Sequence, residues 1–562
     1  MKKARDLIKN PYVVIIATYF AAHFFMLLLS GCWWDDWTFM THDLNYINTV
    51  ASESGRPEWN LLVPLCWSLP NNGRNLIFFL HLLNSVFVYR MLKNSDLFNE
   101  KDSLYITLLF TVIPVNDARI LISNFAYNVG LFFFYLSFML FVSWNKMAAS
   151  GKKTIFRILI LITFYVSFIL NSLLAYYYIL FVYLFVLQMK TTDRSKNFII
   201  RVLDSVWKVL IHYPDFFVLP FIYYGMNKML FPTYGDTFGN YNAITLRGIL
   251  DCFVYVPKSI VKIALEIIER CIGSLDLITL LIMAIVLVAV LSIKNEKDDE
   301  KKTTFIKFIL MFGFGLFVLG WGIFPYTEIR GNTIYSFGVK GRDAILVPLG
   351  AAILTYSLFS LFKGKAGKCL LTVAVLLGIF GFNSLYLEWQ KDYYYQLSME
   401  YLFDNDVIRY NDTFFLAEIN ETDIEAQRYY SLNMNAYNVF GDETRFFIPK
   451  VSNLYILQDE AAMKEAKEAL AYSHMMRDYE PENYCFDAVL NYTNDLSDQD
   501  VIRLKTYEIF DKDRFDAEIR NNGTLDIYVV EDDFTFSLLK KLDMGELKDD
   551  QDVIDFTLEY AN

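Results

Sequence analysis

Two adjacent aspartates are prominent among the residues that could do chemistry. Asp35 and Asp36 lie within GCWWDDWTFM, residues 31–40, directly after a long apolar run. Carboxylates this close to a bilayer are costly, which makes a functional role the first hypothesis. A carboxylate can take a proton from an incoming hydroxyl group, or hold a divalent metal ion that activates it. The pair therefore predicts a general base or a metal ligand, and Asp36 is the preferred residue.

Basic residues are concentrated in segments that come later in the chain. Lys340 and Arg342 lie in PYTEIRGNTIYSFGVKGRDAIL, and Arg56 lies in the earlier stretch GRPEWN. Both residue types bind phosphate groups, arginine through paired hydrogen bonds and lysine as a point charge. Asp117, in IPVNDARILISN, is a second acidic candidate. Carboxylates, cations and adjoining apolar residues together predict group transfer from a lipid-linked phosphate at a membrane face.

Each of these residues also has a purely structural interpretation. Asp35 could cap a helix, and the neighbouring tryptophans could form an interfacial belt. Asp117 and Arg119 could form an ion pair within their own loop. Arg342 could hold a span at the interface through its long side chain. His23, inside the first span, is expected to be packed and hydrogen-bonded rather than to relay protons.

The composition is that of a membrane protein with an uneven distribution of charge. The 562 residues are 55% hydrophobic and 17% aromatic, above ordinary soluble usage, with a mean hydropathy of +0.29. From Trp389 onward there are 38 acidic and 16 basic residues, whereas the preceding residues hold 25 acidic and 35 basic ones. We therefore predict a transmembrane domain over 1–389, an acidic domain over 390–562, and no nucleic-acid partner.

Apolar runs of the length that a bilayer requires predict about eleven transmembrane helices. They lie near residues 12–30, 75–92, 103–115, 124–143, 155–171, 172–189, 207–226, 274–293, 305–324, 343–362 and 369–387. Six alternate loops, such as NKMAASGKK, are rich in lysine and arginine. The positive-inside rule places these loops and the N-terminus in the cytoplasm. Segments 31–74, 114–123, 227–272 and 325–341 are then outside, together with the acidic domain.

Two further regions have recognisable patterns. In segment 227–272, the residues after Pro257 have helical spacing with Lys262, Glu266 and Glu269 off the apolar face, which predicts an interfacial helix. In the acidic domain, TFFLAEI, NLYILQ and TLDIYVVEDD have the composition of strands. The stretches DEAAMKEAKEALAYSHMM and DLSDQDVIRLKTYEIF have that of amphipathic helices, so we predict an α/β fold there.

The opening of the chain resembles the polytopic C-type glycosyltransferase superfamily (GT-C). A basic N-terminus and one span precede an outer loop with the Asp35–Asp36 pair, and GRPEWNLL follows before the chain returns to the membrane. The second outer loop, with its proline and acid, is similar, as is Pro325–Tyr326 followed by Arg342. The resemblance covers about 1–390 and is nearest to bacterial members that use polyprenyl-phosphate sugars.

The resemblance implies a GT-C-like fold and a role for each candidate residue. The first-loop acid of the family is a general base or metal ligand, which carries over to Asp36 or Asp35. By their positions in the later loops, Asp117 is the second acid and Arg342 and Lys340 are candidate phosphate ligands. Arg56 is a third candidate phosphate ligand. Members of the superfamily differ in metal dependence, so a divalent cation, Mg²⁺ or Mn²⁺, stays an open expectation.

The expected function is hexosyl transfer from a polyprenyl-phosphate sugar to a glycan, lipid or protein acceptor of a bacterial cell envelope. Polysaccharide biosynthesis is one such context. One alternative is a transporter or flippase of lipid-linked saccharides, although ionisable residues are few within the predicted spans. Another is a polysaccharide polymerase or ligase, which would depend on Arg342 and not on Asp36. A receptor or assembly role for the acidic domain is a fourth.

Overall fold

The computed structural model describes most of the apolar part of the chain and selected parts of the acidic segment. The described residues are 10–39, 44–192, 197–234, 245–292, 305–362, 364–404, 413–419, 439, 446–448, 488–493, 496–530 and 536–543. The chain forms two compact units. The first unit contains residues 1–28 and 44–384, and the second contains residues 29–43 and 385–562. The predicted boundary at residue 389 stays a prediction.

Helices dominate the described residues, as expected for backbone that must satisfy its own hydrogen bonds in lipid. They are α1 Pro11–His23, α2 Asp36–Phe39, α3 Leu44–Glu53, α4 Trp59–Ser68, α5 Arg74–Asn94, α6 Glu100–Val112, α7 Phe125–Asn145, α8 Gly151–Ser167, α9 Leu173–Tyr176, α10 Ile179–Thr191, α11 Phe198–His212, α12 Pro214–Leu230, α13 Leu246–Gly273, α14 Leu277–Ser292, α15 Phe305–Arg330, α16 Val347–Phe359, α17 Gly364–Phe403, α18 Asp498–Phe510 and α19 Lys512–Arg520. Short 3₁₀ helices include Asp117–Ile120 and Val339–Ala344.

Six helical segments within the described residues are long and apolar enough to cross a membrane. They are Pro11–Leu28, Pro70–Asn94, Ile122–Asn145, Leu173–Thr191, Lys307–Ile329 and Gly364–Phe403. The bent pair of α13 and α14 could be a seventh. The four other predicted spans fall on α6, α8, α12 and α16, which are 13 to 17 residues long. The chain is therefore a mainly α-helical polytopic protein, and the count of eleven spans stays a prediction.

Two of the predicted elements have different bounds in the structure. The predicted span 207–226 crosses the break between α11 and α12, where Pro214 is the first residue of the new helix. The predicted interfacial helix starts at Leu246 and not after Pro257, because Thr245 caps it by accepting a hydrogen bond from the Gly248 N–H at 2.9 Å. α13 meets α14 at an angle of 97°, which fits a helix that lies along a membrane surface next to one that crosses it.

The helices of the first unit pack closely where glycine removes a side chain. A Cβ atom on Gly130 of α7 would lie 2.9 Å from the carbonyl oxygen of Ser167, at the end of α8. A Cβ atom on Gly350 of α16 would collide with the backbone of Leu319 in α15. Both positions therefore require glycine for close packing of neighbouring helices.

The last long helix continues well past the predicted span 369–387. α17 has 40 residues, about 60 Å at 1.5 Å per residue, which is twice the ~30 Å thickness of a hydrocarbon core. Its final turns bury Gln390, Asp392 and Gln396. The change of composition near Trp389 thus marks a change in the surroundings of the helix and not its end.

The acidic segment contains both strands and helices among its described residues. The strands are β1 Thr413–Ile419, β2 Phe446–Ile448, β3 Ala488–Thr493, β4 Thr524–Val530 and β5 Phe536–Asp543, in the order β2-β1-β3-β4-β5. β1 is parallel to both β2 and β3, and the pairs β3–β4 and β4–β5 are antiparallel. Leu504 of α18 and Phe515 of α19 pack with Tyr394 of α17. The predicted strand NLYILQ and the predicted helix 459–476 lie outside the described residues.

Candidate functional site

The aspartate pair lies at the start of the short helix α2 in the second unit. The Asp35 carbonyl accepts a hydrogen bond from the Phe39 N–H at 3.2 Å, and Asp36 is the first helical residue. Asp36 Oδ2 accepts from the Trp33 N–H at 3.4 Å, and the Asp36 side chain is completely buried. Asp35 is partly exposed. The geometry thus gives Asp36 a local structural contact and gives Asp35 the better access to solvent.

Trp33 is tied to the extended part of α17. Its indole N–H donates to Asp392 Oδ2 at 2.6 Å, and the amide of Gln396 donates to the same oxygen at 2.8 Å. The ring of Trp33 packs edge-to-face on Trp389, with 4.9 Å between centroids. Trp33 and Trp37 are buried. These two tryptophans are therefore packed inside the protein and do not form an interfacial belt.

Sequence reasoning missed Asp392, although a pattern in the sequence could have indicated it. Asp392 and Gln396 are spaced four residues apart in a tyrosine-rich stretch that continues an apolar helical run. Side chains at this spacing lie on one face of a helix. Polar residues on one face of an aromatic helix predict a buried hydrogen-bonded group, here one that receives a tryptophan from another segment of the second unit.

Asp117 joins two segments of the first unit that are predicted to be outside, the second, 114–123, and the fourth, 325–341. Its side chain is fully buried, and its Oδ2 accepts a hydrogen bond from the Gly338 N–H at 3.1 Å. Its Oδ1 would lie 3.1 Å from a Cβ atom on Gly341. The Asn116 N–H also donates to the Ser336 carbonyl at 3.0 Å. Gly338 has a φ of +63°, a conformation that favours glycine. Asp117 therefore holds the turn that leads into the basic residues.

Lys340 and Arg342 lie in that turn, on the 3₁₀ helix Val339–Ala344. Lys340 is exposed, and its ammonium lies 5.5 Å from the centre of the Tyr335 ring. Arg342 is partly exposed, with its Nε 3.8 Å from Asp343 Oδ1. The structure thus brings together three of the six predicted site residues, with Asp117 beneath the backbone that carries the two cations.

Arg56 has separate partners. Its Nη1 donates to the Ile169 carbonyl at 2.7 Å and to Glu58 Oε1 at 3.3 Å, and its guanidinium lies over the Tyr127 ring. Burial alone would lower the pKa of Arg56, but Tyr127 and Glu58 raise it above its ordinary value. Arg56 is therefore a fixed cation that holds segments of the first unit together.

A cavity lies close to this ion pair. It has a volume of about 230 Å³. It is lined mainly by apolar and aromatic residues, which are Pro57, Glu58, Tyr165, Val166, Ile169, Tyr223, Met226, Asn227, Leu230 and Phe231. The residues that line this cavity do not include Asp36, Asp117 or Arg342. Asp36 belongs to the second unit and Arg342 to the first, so their convergence stays a prediction.

Arg119 is hydrogen-bonded to the backbone of its own loop. It donates to the carbonyls of Asn116 and Val115, and its guanidinium is 4.9 Å from the centre of the Phe382 ring. Among the described residues, no carboxylate lies within ion-pair distance of Arg119. The alternative of an ion pair between Asp117 and Arg119 is therefore not found, because each side chain is bound to backbone groups instead.

Two histidines lie near Arg119 in the interior. His23 Nε2 donates to the Thr111 carbonyl at 2.9 Å, which confirms that His23 is packed and hydrogen-bonded. His81 Nε2 is 2.7 Å from Asn128 Oδ1. The histidines and Arg119 line a chamber of about 20 Å³, enough for one water molecule. The first unit therefore contains a polar interior cluster next to segment 114–123.

The described residues provide no ready-made metal site. No group of three or more histidine, cysteine, aspartate or glutamate side chains converges anywhere in the described ranges. Asp36, one of the two predicted metal ligands, is directed toward the backbone of Trp33. A divalent cation at Asp35 and Asp36 therefore stays a prediction that rests on the family resemblance.

The fold and the apolar helices define a mainly α-helical membrane protein. The chain matches no protein-family model, no characterised protein and no solved structure. The likeness to the C-type glycosyltransferases therefore rests on the sequence pattern alone.

Proposed function

We propose that this protein is an integral membrane glycosyltransferase. It moves a hexosyl group from a polyprenyl-phosphate-linked donor to a cell-envelope acceptor on the outer face of the membrane. The observation that supports this proposal is the turn at Gly338, where the buried carboxylate of Asp117 holds the backbone that carries Lys340 and Arg342. Exposed cations on a fixed turn suit the recognition of a phosphate group.

Each candidate residue has a role in this reaction. Lys340 and Arg342 bind the donor phosphate, and Asp117 positions the turn from which they project. An acidic side chain of the first outer loop takes the proton of the acceptor hydroxyl. Asp36 is the family-like candidate, and Asp35 is the one with partly exposed atoms. The GT-C-like fold, the eleven spans and any divalent cation are parts of the same proposal.

The proposed transfer follows from these roles. The acceptor oxygen forms a bond to the anomeric carbon of the sugar, while the bond from that carbon to the phosphate oxygen breaks. The hydroxyl proton passes to the carboxylate, and the electron pair of the broken bond stays on the polyprenyl phosphate. The cations stabilise the negative charge that develops on this leaving group.

The proposed orientation follows from the charges of the loops. The basic loops are cytoplasmic, as is the N-terminus, so the four outer segments face the opposite side. Residues 390–562 then form an acidic extracytoplasmic α/β domain that takes no part in the chemistry. Labelling of a cysteine introduced into this domain, from outside intact cells, would test the orientation.

The decisive test compares the two aspartates. Membranes that contain wild type, Asp36→Asn or Asp35→Asn are given a labelled polyprenyl-phosphate sugar. A general base contributes about 10²–10⁴-fold to a rate, so the variant that lacks it should lose at least a hundredfold in transfer. Asp36 contacts the Trp33 backbone, so its substitution could lower stability. The thermal unfolding midpoint of each variant must therefore match that of wild type before a loss of transfer is assigned to the chemistry. Near-normal transfer by both variants would refute the catalytic role.

One observation favours a second candidate function, a transporter or flippase of lipid-linked saccharides. His23, His81 and Arg119 are buried together in the first unit, and ionisable groups among membrane spans mark transport pathways. Translocation of a labelled lipid-linked saccharide in vesicles, without transfer of its sugar, would support this candidate. If the His81→Phe variant loses this translocation, the transport pathway passes through the buried cluster of His23, His81 and Arg119.

A further inference from the structure

The polar face of α13 is covered by the fourth outer segment. The Ile334 N–H donates to Ser259 Oγ at 3.2 Å, and two turns further along the helix, the Ser336 N–H donates to Glu266 Oε2 at 2.9 Å. The spacing of seven residues places Ser259 and Glu266 on one side of the helix. The polar face of α13, which the sequence predicts to face away from the membrane, therefore holds residues 334–336 in place, just before the turn that carries Lys340 and Arg342.

This arrangement brings cations from two elements onto one aromatic ring. The Lys262 ammonium lies 3.0 Å from the centre of the Tyr335 ring, and the Lys340 ammonium lies 5.5 Å from the same centre. Arg270 lies 5.2 Å from the centre of the neighbouring Phe337 ring. Tyr335 is 43% exposed. An exposed ring with two ammonium groups is thus present at the edge of the proposed site.

The positive charge at this ring is only partly neutralised. Lys262 has Glu266 at 3.8 Å, and Glu266 also accepts the Ser336 N–H. Within the described part of the chain, Lys340 has no carboxylate at ion-pair distance. Two like charges at one ring repel each other, and an anion between them would relieve the repulsion. The ring stabilises each ammonium but does not cancel its charge.

We propose that Lys262, Lys340 and Tyr335 form a binding site for the phosphate group of a glycosyl phosphate. This inference rests on the proposed function and adds to it a cation from α13 and an aromatic ring. The two ammonium groups bind the phosphate oxygens, and the exposed ring provides an apolar face for the group attached to the phosphate. Lys262 is thereby a ligand that neither the loop pattern nor the family resemblance indicates.

A matched control lies on the same helix. Lys258 has its ammonium 5.6 Å from the centre of the Tyr255 ring, so it makes the same kind of contact one turn before Lys262. Lys258→Met therefore removes a cation and a cation–π contact from α13 without changing the proposed site. Lys262→Met and Lys340→Met make the corresponding changes within it.

The test measures binding to the purified full-length protein in detergent. The probes are a short-chain prenyl phosphate, inorganic phosphate and the matching prenyl alcohol, and binding is followed by the shift in thermal unfolding midpoint with ligand concentration. Loss of one charge-assisted contact should weaken prenyl phosphate binding roughly tenfold in Lys262→Met and in Lys340→Met. Lys258→Met should bind as wild type does, and Lys262→Arg should retain most of the affinity.

The outcomes separate the two possible sources of the phosphate. Binding of prenyl phosphate far more tightly than inorganic phosphate supports the site and assigns it to a lipid-linked group. Equal binding of both probes supports a site for free phosphate. Binding of the alcohol as tightly as the phosphate, or equal weakening by Lys258→Met, overturns the site. If the wild type binds prenyl phosphate but transfers no sugar, the proposed function fails while this site stands.

Discussion

The first and the fourth of the segments that are predicted to be outside, 31–74 and 325–341, differ in how they hold their charged residues. In the first, the carboxylate of Asp36 is buried and bonded to its own loop, and the Trp33 indole is bound to Asp392. At the end of the fourth, Lys340 is exposed and Arg342 is partly exposed, on a turn that the buried Asp117 holds in place. In both segments the candidate residues were chosen for their type and for their position next to a membrane span. The two segments differ in how far solvent can reach those residues.

This difference separates charged residues that position a segment from those that can meet a ligand. A buried carboxylate that accepts backbone N–H groups stabilises a particular loop geometry. An exposed cation such as Lys340, which has no ion pair among the described residues, retains its capacity to bind an anion. The two segments therefore predict different responses to substitution, which affect stability in one case and ligand binding in the other.

The largest effect is expected in the fourth segment, on transfer and not on stability. The double variant Lys340→Met and Arg342→Met should reduce sugar transfer about 10²–10³-fold, because these cations stabilise charge on the leaving phosphate. Its thermal unfolding midpoint should stay close to that of wild type, since both side chains are at least partly exposed. Arg247→Met is the control, because Arg247 lies in the first turn of α13 and its side chain is 93% exposed. Wild-type transfer by the double variant would contradict the comparison.

The next effect is expected in the first segment, on stability. Trp33→Phe keeps an aromatic ring but removes the N–H that donates to Asp392 at 2.6 Å. A buried hydrogen bond to a charged group contributes about 1.5–3 kcal/mol, so the free energy of unfolding of the second unit should fall by about that amount. Chemical denaturation followed by tryptophan fluorescence would measure it. Trp34→Phe, at a partly exposed position, provides the reference; an equal loss there would remove the special role of Trp33.

Much of the helical framework could be predicted from the sequence, because apolar runs of fixed length have few alternatives in lipid. Elements whose ends are set by tertiary contacts were harder. α17 extends to Phe403 because its polar residues become buried in the second unit, and no local pattern separates this from a solvated tail. The break at Tyr213–Pro214 had a local cause that the apolar average over 207–226 concealed.

The candidate site likewise has features that the sequence could predict and features that it could not. Lys340, Arg342 and Asp117 could be found by residue type, but their joint turn depends on a backbone contact between Asp117 and Gly338, which are 221 residues apart. The partnership of Lys262 with Tyr335 depends likewise on how the fourth segment lies on α13. Such contacts over long sequence separations are set by packing, so composition and spacing could not give them.

A smaller effect is expected at Asp117. This residue tests whether a buried carboxylate that positions a turn also affects ligand binding by the cations on that turn. Asp117→Ala leaves the buried Gly338 N–H without its acceptor, which costs about 1–3 kcal/mol. Asp117→Asn keeps an acceptor oxygen and should cost less. Both variants should weaken prenyl phosphate binding less than Lys340→Met does, because Asp117 acts only through the turn. If Asp117→Asn abolishes transfer at normal stability, Asp117 is itself part of the chemistry.

The smallest effect concerns Asp500, a partly exposed carboxylate that also accepts hydrogen bonds at the start of a helix. Its Oδ2 accepts from the Ser497 N–H at 3.0 Å, while the Asp500 N–H donates to Ser497 Oγ at 3.3 Å. The side-chain hydrogen bond from Ser497, and then the backbone one, lower the pKa of Asp500 below its ordinary value. The stabilisation is thus fully present above the pKa of the unfolded chain, about 3.9, and is lost as the pH falls through the lower, folded pKa.

Because Asp500 is close to solvent, its contribution should be limited to the stability of α18. Removal of a capping side chain costs about 0.5–2 kcal/mol, and an exposed capping box belongs at the lower end of that range. Hydrogen exchange of the first amides of α18, compared at pH 6 and pH 3 after correction for the intrinsic rates, would measure the loss of protection at acid pH. Asp500→Asn should show the weaker protection at both pH values. If the amides of the wild type keep their protection at pH 3, the Asp500 carboxylate does not stabilise α18. Asp500 can then no longer be compared with the buried carboxylate of Asp36.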